Sequence, residues 1–291
     1  AGEARQSQVV LGLDPDPARL WPAALDAAPA QGAPAERAAA AVAAHCRAAI
    51  DAAACACVAV KPQLACFERL GAPGWAALAE TVEHARSAGL LVIADAKRGD
   101  IDVSAAAYAQ ALAGSTQTPF GEVRGLGADA FTANPYMGAD TLDALASGAR
   151  SAGAGVFVLV RTSNPGAADV EDLATASGDR VWERVAAIVS RIGGGDAGEL
   201  SDVGAVVGAT APEHLARLRE LLPRAPFLLP GVGAQGGRVE DLAPAFAPGR
   251  AAGLVTASRS IVDAHRKSGG EPATAARAEA ERLRTAAWEL S

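Results

Sequence analysis

The sequence predicts an α/β fold of the (β/α)8 TIM barrel class, and three observations point there. Eight short β-like runs recur along the 291 residues, each followed by a longer alanine-rich stretch of helical character. They are mostly spaced roughly 25 to 45 residues apart, the size of a βα unit, and eight parallel strands joined by helices close naturally into a barrel. The glycine-rich turns follow the seventh and eighth runs, the usual phosphate position in such barrels. An open doubly wound sheet would place its phosphate glycines directly after the first strand. Here the first run leads instead into Pro15-Asp16-Pro17.

In order, the first run is Gln8 to Asp14, closing on an acid, and the second is Cys57 to Gln63, with Lys61 near its end. The third, Leu90 to Lys97, is an apolar stretch that closes on Asp95 and Lys97, with Asp100 on the loop beyond. Ala130 to Tyr136 ends near Asn134, Gly155 to Ser163 ends in the Thr162-Ser163-Asn164 turn, and Val203 to Thr210 ends on a hydroxyl. Phe227 to Gly233 opens the glycine-rich turn through Gly237, and Gly253 to Ser260 ends in Ala257-Ser258-Arg259-Ser260. Side chains alternate along a strand, so Asp95 and Lys97 are expected to point the same way, into the barrel mouth. Each of several strands thus adds one polar tip to a shared cavity. Gly114 to Gly127, Gly193 to Ser201 and Ser268 to Pro272 read as surface loops, and one barrel domain over residues 1–291 accounts for the length.

Composition narrows the function. The net charge of −7 offers no basic stripe to nucleic acid, and no apolar run approaches the roughly 18 to 20 residues that a bilayer crossing needs. The start, Ala1-Gly2-Glu3-Ala4-Arg5, has no apolar signal-peptide core, and a cytoplasmic enzyme is the expectation. Cys46, Cys55, Cys57 and Cys66 lack zinc-finger spacing and read as small core residues, Cys55 and Cys57 sharing a face if that stretch is extended. His45, His84, His214 and His265 read as surface or helix-face residues, and no Ser-His-Asp set can be assembled from them.

Three lysines stand against 23 arginines, and two of them, Lys61 and Lys97, lie at strand ends beside carboxylates. A lysine kept where arginine is the rule suits work that a permanently charged guanidinium cannot do, namely surrendering a proton. At the other side of the mouth, Pro230 to Gly237 offers backbone N–H groups to an anion, Gln235 can donate its amide, and Arg259 can clamp phosphate oxygens. A small phosphorylated substrate is the expectation.

Asp95-Ala96-Lys97-Arg98-Gly99-Asp100-Ile101 matches the Asp-x-Lys-x-x-Asp signature of orotidine 5′-phosphate decarboxylase, and the chain resembles the longer bacterial subtype of that family nearly end to end. Six further blocks carry the resemblance in order: Gly12 to Asp16, Val60 to Gln63, Asn134 to Gly138, Arg161 to Gly166, Val207 to Thr210 and Pro230 to Gly237. The resemblance implies a homodimeric barrel with composite sites that converts orotidine 5′-phosphate to UMP and carbon dioxide without metal or organic cofactor. It further implies Lys97 as proton donor to carbon 6, Asp95 against the departing carboxylate, Lys61 linking the charged network to the ribose, and Asp100 reaching into the partner's site. Asp14 would hold a ribose hydroxyl, Ser163 would read the pyrimidine edge, and Gln235 with Arg259 would hold the phosphate. Ile101 and Ser104 complete the implied substrate-binding set, Ser104 standing where the family usually has threonine. The rival readings are a magnesium-dependent sugar-phosphate decarboxylase or aldol synthase of the same superfamily, a Schiff-base aldolase and a non-catalytic phosphate-binding barrel. Acids beside both lysines argue against the aldolase, which wants a lysine in apolar surroundings.

Overall fold

A computed structural model of the chain describes residues 2–196 and 198–291. Its strands are β1 (Val9–Leu13), β2 (Ala59–Pro62), β3 (Leu91–Arg98), β4 (Ser115–Thr118), β5 (Gly121–Arg124), β6 (Ala130–Ala133), β7 (Gly155–Arg161), β8 (Val203–Val207), β9 (Phe227–Leu229) and β10 (Gly253–Ala257). Eight of them close a barrel in the order β1-β10-β9-β8-β7-β6-β3-β2, every neighbouring pair parallel. Seven of the eight runs expected from the sequence contain one of these strands, and the third, Leu90 to Lys97, covers all of β3 but its last residue, Arg98. The ladders stop short of most of the polar tips, because the chain leaves its neighbours at the rim to enter the following loop. Asp14, Ser163 and Thr210 therefore lie just beyond the last paired residue.

Alternation along the strands separates two apolar layers. Val10, Ile93, Ala130, Phe157, Val206 and Leu228 pack inside the barrel. Their neighbours Val9, Leu11, Val92, Phe131, Val207 and Leu229 face the surrounding helices. Strands buried on both faces need apolar residues at nearly every position, which is why they read as continuous runs rather than as an alternating pattern. Helix Pro34–Ala53 contributes Val42, Cys46 and Ile50 from one face, and helix Ala72–Ser87 contributes Leu78, Val82 and Ala85. Helix Pro272–Leu290 starts at a proline, with Glu271 accepting from the backbone N–H groups of Ala273 and Thr274.

The buried Arg219 organises the N-terminal ends of β9 and β10, at the opposite end of those strands from the cavity. Its guanidinium donates to the carbonyls of Leu222, Ala225, Ala245 and Ala252, at 2.8, 2.7, 2.6 and 3.2 Å, and lies 3.8 Å from the Phe227 ring centroid. Those carbonyls belong to the segments that feed β9 and β10, so one side chain fixes the approach of both strands. Burial lowers its pKa to about 10, which leaves it charged at neutral pH.

Three expectations change. Gly114 to Gly127, read as a loop, contains the antiparallel hairpin of β4 and β5, paired from Ser115 with Arg124 to Thr118 with Gly121. The hairpin buries no apolar face, so it leaves no hydrophobic periodicity to read, and Phe120 in its turn is 99% exposed. His45, read as a surface or helix-face residue, does lie on a helix, Pro34–Ala53, but on its buried face, and its Nδ1 accepts from the Trp21 backbone N–H at 3.1 Å. Burial pushes its pKa down to about 4, which keeps it neutral. Cys55, read with the other cysteines as a small core residue, is exposed whereas Cys57 is buried, and their stretch is a turn after a helix rather than extended, so the condition for a shared face is not met. Among the described residues no helix is long and apolar enough to cross a membrane.

Candidate active site

The chemistry converges where β3 departs from regular pairing. Ala94 pairs with Phe131 and Arg98 with Ala133, so β3 uses four residue steps where β6 uses two. The excess forms a bulge, and within it Lys97 takes a left-handed backbone with φ of 49°. Asp95 and Lys97 both reach the cavity as expected, but through this bulge rather than through simple alternation. The Lys97 backbone N–H donates to Thr132 Oγ1 at 2.9 Å.

Asp95 is the centre of the charge network, with only 6% of its side chain exposed. Its Oδ1 accepts from Lys97 Nζ at 2.5 Å and from Thr132 Oγ1 at 2.9 Å. Its Oδ2 accepts from Lys61 Nζ and, at 3.2 Å, from Gln63 Nε2. Burial works to raise the Asp95 pKa, but the ammonium groups of Lys61 and Lys97 outweigh it and hold the carboxyl at about 2. Burial likewise works against the Lys61 ammonium, and the Asp95 and Asp14 carboxylates reverse the balance, raising its pKa above the ordinary lysine value. Lys97 differs from Lys61 in access: 43% of its side chain is exposed, against 7% for Lys61. One ammonium is locked in the wall and the other stands open to the cavity.

The cavity at the C-terminal ends of the strands has a volume of about 560 Å³. Of the residues singled out in the sequence, Asp14, Lys61, Asp95, Lys97, Ser163, Gln235 and Arg259 line it together. Gln235 and Arg259 belong to the turns after β9 and β10, across the barrel from the Asp95 network in the strand order. Asp100, Ile101 and Ser104 do not line this cavity; Asp100 Oδ1 caps the Ile101 N–H at 2.8 Å, and Ile101 is 51% exposed. Thr210 also turns away from it, donating to the Ser163 carbonyl at 3.1 Å. Glycine is required at two places. A β-carbon on Gly12 would collide with Ser258, and Gly231 combines φ of 101° with a β-carbon position 3.0 Å from Gln235 Oε1.

Sequence reasoning missed Gln63, Thr132 and Glu171. Gln63 and Thr132 had a usable signal, as polar residues inside or two places along otherwise apolar strands. Glu171 had none, since its place depends on a fold-back of the segment after β7. Arg161 holds that segment through paired 2.9 Å bonds to Asp172, whose pKa the bonded guanidinium lowers. Glu171 accepts from both the backbone N–H and the hydroxyl of Thr162 at 2.8 Å. Gly166, Ala167 and Val170 are thereby laid along the cavity edge.

The Asp95 carboxyl titrates at about 2 in the native state, below its unfolded value of about 3.9. It therefore contributes stability in full above about pH 4 and loses that contribution as the pH falls through about 2. Asp95→Asn, which strands the buried Lys61 ammonium, is expected to lower unfolding free energy at neutral pH by about 3 to 5 kcal/mol. Its deficit against the unsubstituted chain should narrow between pH 4 and pH 2. Urea unfolding across that range measures it, and a constant deficit would contradict the charge assignment.

The chain matches the family described as orotidine 5′-phosphate decarboxylase / HUMPS over residues 7–278. It is 46% identical over 216 residues to orotidine 5′-phosphate decarboxylase of Deinococcus radiodurans, covering 73% of this chain and 74% of that protein. With the enzyme of the same name from Roseiflexus castenholzii it shares 39% identity over 283 residues, 97% of this chain and 92% of that one. Among solved structures, Leishmania donovani OMP decarboxylase superposes with a TM-score of 0.70 at 30% identity, covering 98% of this chain and 96% of that chain. A Streptomyces avermitilis protein described as an orotidine 5′-phosphate decarboxylase gives 0.77 at 33% identity, over 98% and 91% of the two chains. By sequence and by fold, this chain belongs to the orotidine 5′-phosphate decarboxylase / HUMPS family.

Proposed function

We propose that the chain decarboxylates orotidine 5′-phosphate to UMP in pyrimidine biosynthesis, with Lys97 as the proton donor. The observation that carries this reading is the single buried carboxylate, Asp95, held between one closed-off and one accessible ammonium. When the bond from carbon 6 to the carboxylate breaks, carbon dioxide leaves and the electron pair stays on a ring carbon with little delocalisation. A fixed ammonium beside that carbon stabilises the developing charge and then transfers its proton there, leaving a neutral amine that solvent recharges. Asp95 sits against the departing carboxylate, and Lys61, bonded to Asp95 and favoured by the nearby charge of Asp14, links that network to the ribose hydroxyl. Ser163 reads the pyrimidine edge. Gln235 and Arg259 hold the phosphate, and Arg259 has no carboxylate partner within 4.0 Å among the described residues. Binding energy gathered at that end, away from the reacting carbon, helps to offset the cost of bringing substrate carboxylate to Asp95.

The rival within the family is a magnesium-dependent sugar-phosphate enzyme. The curated relatives carry the decarboxylase name, and both oxygens of Asp95 are already occupied by ammonium groups instead of being free for a cation. A homodimer with shared sites completes the reading. Asp100, Ile101 and Ser104 lie outside their own chain's cavity; Val103, in the first turn of helix Asp102–Leu112, is 83% exposed, and Tyr136 and Met137, in the turn after β6, are 89% and 47% exposed. A partner subunit covering those side chains would bring Asp100 and Ile101 to its own site, within one barrel unit per chain.

Ultraviolet measurement of orotidine 5′-phosphate consumption tests the reaction. Turnover should persist in excess EDTA, whereas loss restored by magnesium would favour the sugar-phosphate rival. Lys97→Arg should keep the fold and UMP binding while lowering kcat by about 10²- to 10⁴-fold, the usual worth of a positioned proton donor; near-normal turnover would exclude proton donation by Lys97. Mixed Lys97→Ala and Asp100→Ala subunits should regain activity, because one site of each heterodimer holds an intact pair. No recovery after demonstrated subunit exchange would count against the shared site.

A further inference from the structure

We infer that Thr132 is a positioning residue for the Asp95–Lys97 pair, its hydroxyl setting where both side chains stand. The inference rests on the decarboxylase reading of the site and deepens it. Thr132 lies on β6 and is 1% exposed. Two places earlier on the same strand, Ala130 packs in the apolar barrel interior. Valine would fill this position equally well, so packing does not explain the hydroxyl. Burying one is unfavourable unless it is hydrogen-bonded, and here both of its capacities are used. It accepts from the Lys97 backbone N–H at 2.9 Å and donates to Asp95 Oδ1 at 2.9 Å.

Those two bonds, with the 2.5 Å contact from Lys97 Nζ to the same carboxylate oxygen, form a closed circuit: Lys97 N–H to Thr132 Oγ1, Thr132 O–H to Asp95 Oδ1, and Asp95 Oδ1 back to Lys97 Nζ. Lys97 is thereby held at both ends. The need is plain from the backbone, since Lys97 has φ of 49° inside the bulge of β3, a conformation that side-chain-bearing residues seldom adopt without outside support. A hydroxyl can accept an amide hydrogen and donate to a carboxylate through one atom, and no methyl group can. Lys61 and Gln63 from β2 hold the other carboxylate oxygen, which leaves Thr132 as the group that orients the Oδ1 side, where Lys97 must swing between acid and substrate.

The test compares Thr132→Val and Thr132→Ser with the unsubstituted enzyme. Thr132→Val should lower kcat by about 10- to 100-fold, as expected for a lost hydrogen bond to a charged group, with KM and UMP affinity within about twofold. Thr132→Ser should recover most of the rate. Carbon-13 NMR of the Asp95 carboxyl should show titration beginning at higher pH in Thr132→Val, because the ionised form has lost a donor. If Thr132→Val does not fold, Thr132→Cys, whose thiol is a poor donor of similar size, reads the same contact. A variant that loses only thermal stability, with kcat and Asp95 titration unchanged, would overturn the inference. If the unsubstituted chain does not consume orotidine 5′-phosphate, the reaction assignment fails, and the Asp95 titration still decides the role of Thr132.

Discussion

One carboxylate shared by two ammonium groups is the constraint around which the barrel mouth is arranged. Lys61 is buried beneath the rim, and its charge could not be held there without Asp95. Asp95 is equally buried, and its charge could not be held without the lysines. Mutual dependence of this kind fixes geometry more tightly than packing does, because moving any one charge exposes another to an apolar wall. Ionised groups so deep in a fold are costly, and clusters with shifted pKa values concentrate where chemistry is done. The alternative in which the cluster merely fills the barrel end does not account for the open position of Lys97, whose side chain is the one member left 43% exposed.

The closed strand order explains how the two halves of the site can be specialised independently. Adjacent strands β2, β3 and β6 supply Lys61, Gln63, Asp95, Lys97 and Thr132. The turns after β9 and β10 supply Gln235, Ser258 and Arg259, and Arg219 fixes the entry of those two strands from beneath. The segment after β7 lies along the edge between them, tied by Arg161 to Asp172 and by Thr162 to Glu171. The strands of the cylinder therefore carry the charge network, while the segments beyond their ends carry the polar groups on the opposite wall of the cavity.

Much of this was legible in the sequence. The eight strands could be located because strands covered on both faces must be apolar throughout, and the site could be located because most of the polar residues at their C-terminal ends converge on one cavity, Thr210 being an exception that bonds the Ser163 carbonyl instead. The Asp-x-Lys-x-x-Asp spacing likewise placed Asp95 and Lys97 in one cavity. Hairpin β4–β5 escaped because a fully exposed ladder imposes no hydrophobic pattern, and the burial of His45 escaped because its partner, the Trp21 N–H, is 24 residues away.

By itself, the sequence determined the barrel class, the two lysines and acids that carry charge, and the glycine turns that face them, since burial, titratable chemistry and backbone freedom are properties of residue types in order. Only the tertiary structure decided how those groups meet. The bulge that turns Lys97 inward, the Thr132 hydroxyl that meets it, and the departure of Asp100 from its own cavity all depend on the register between β3 and β6. Register is set by contacts between strands distant in the chain, and no local pattern records it.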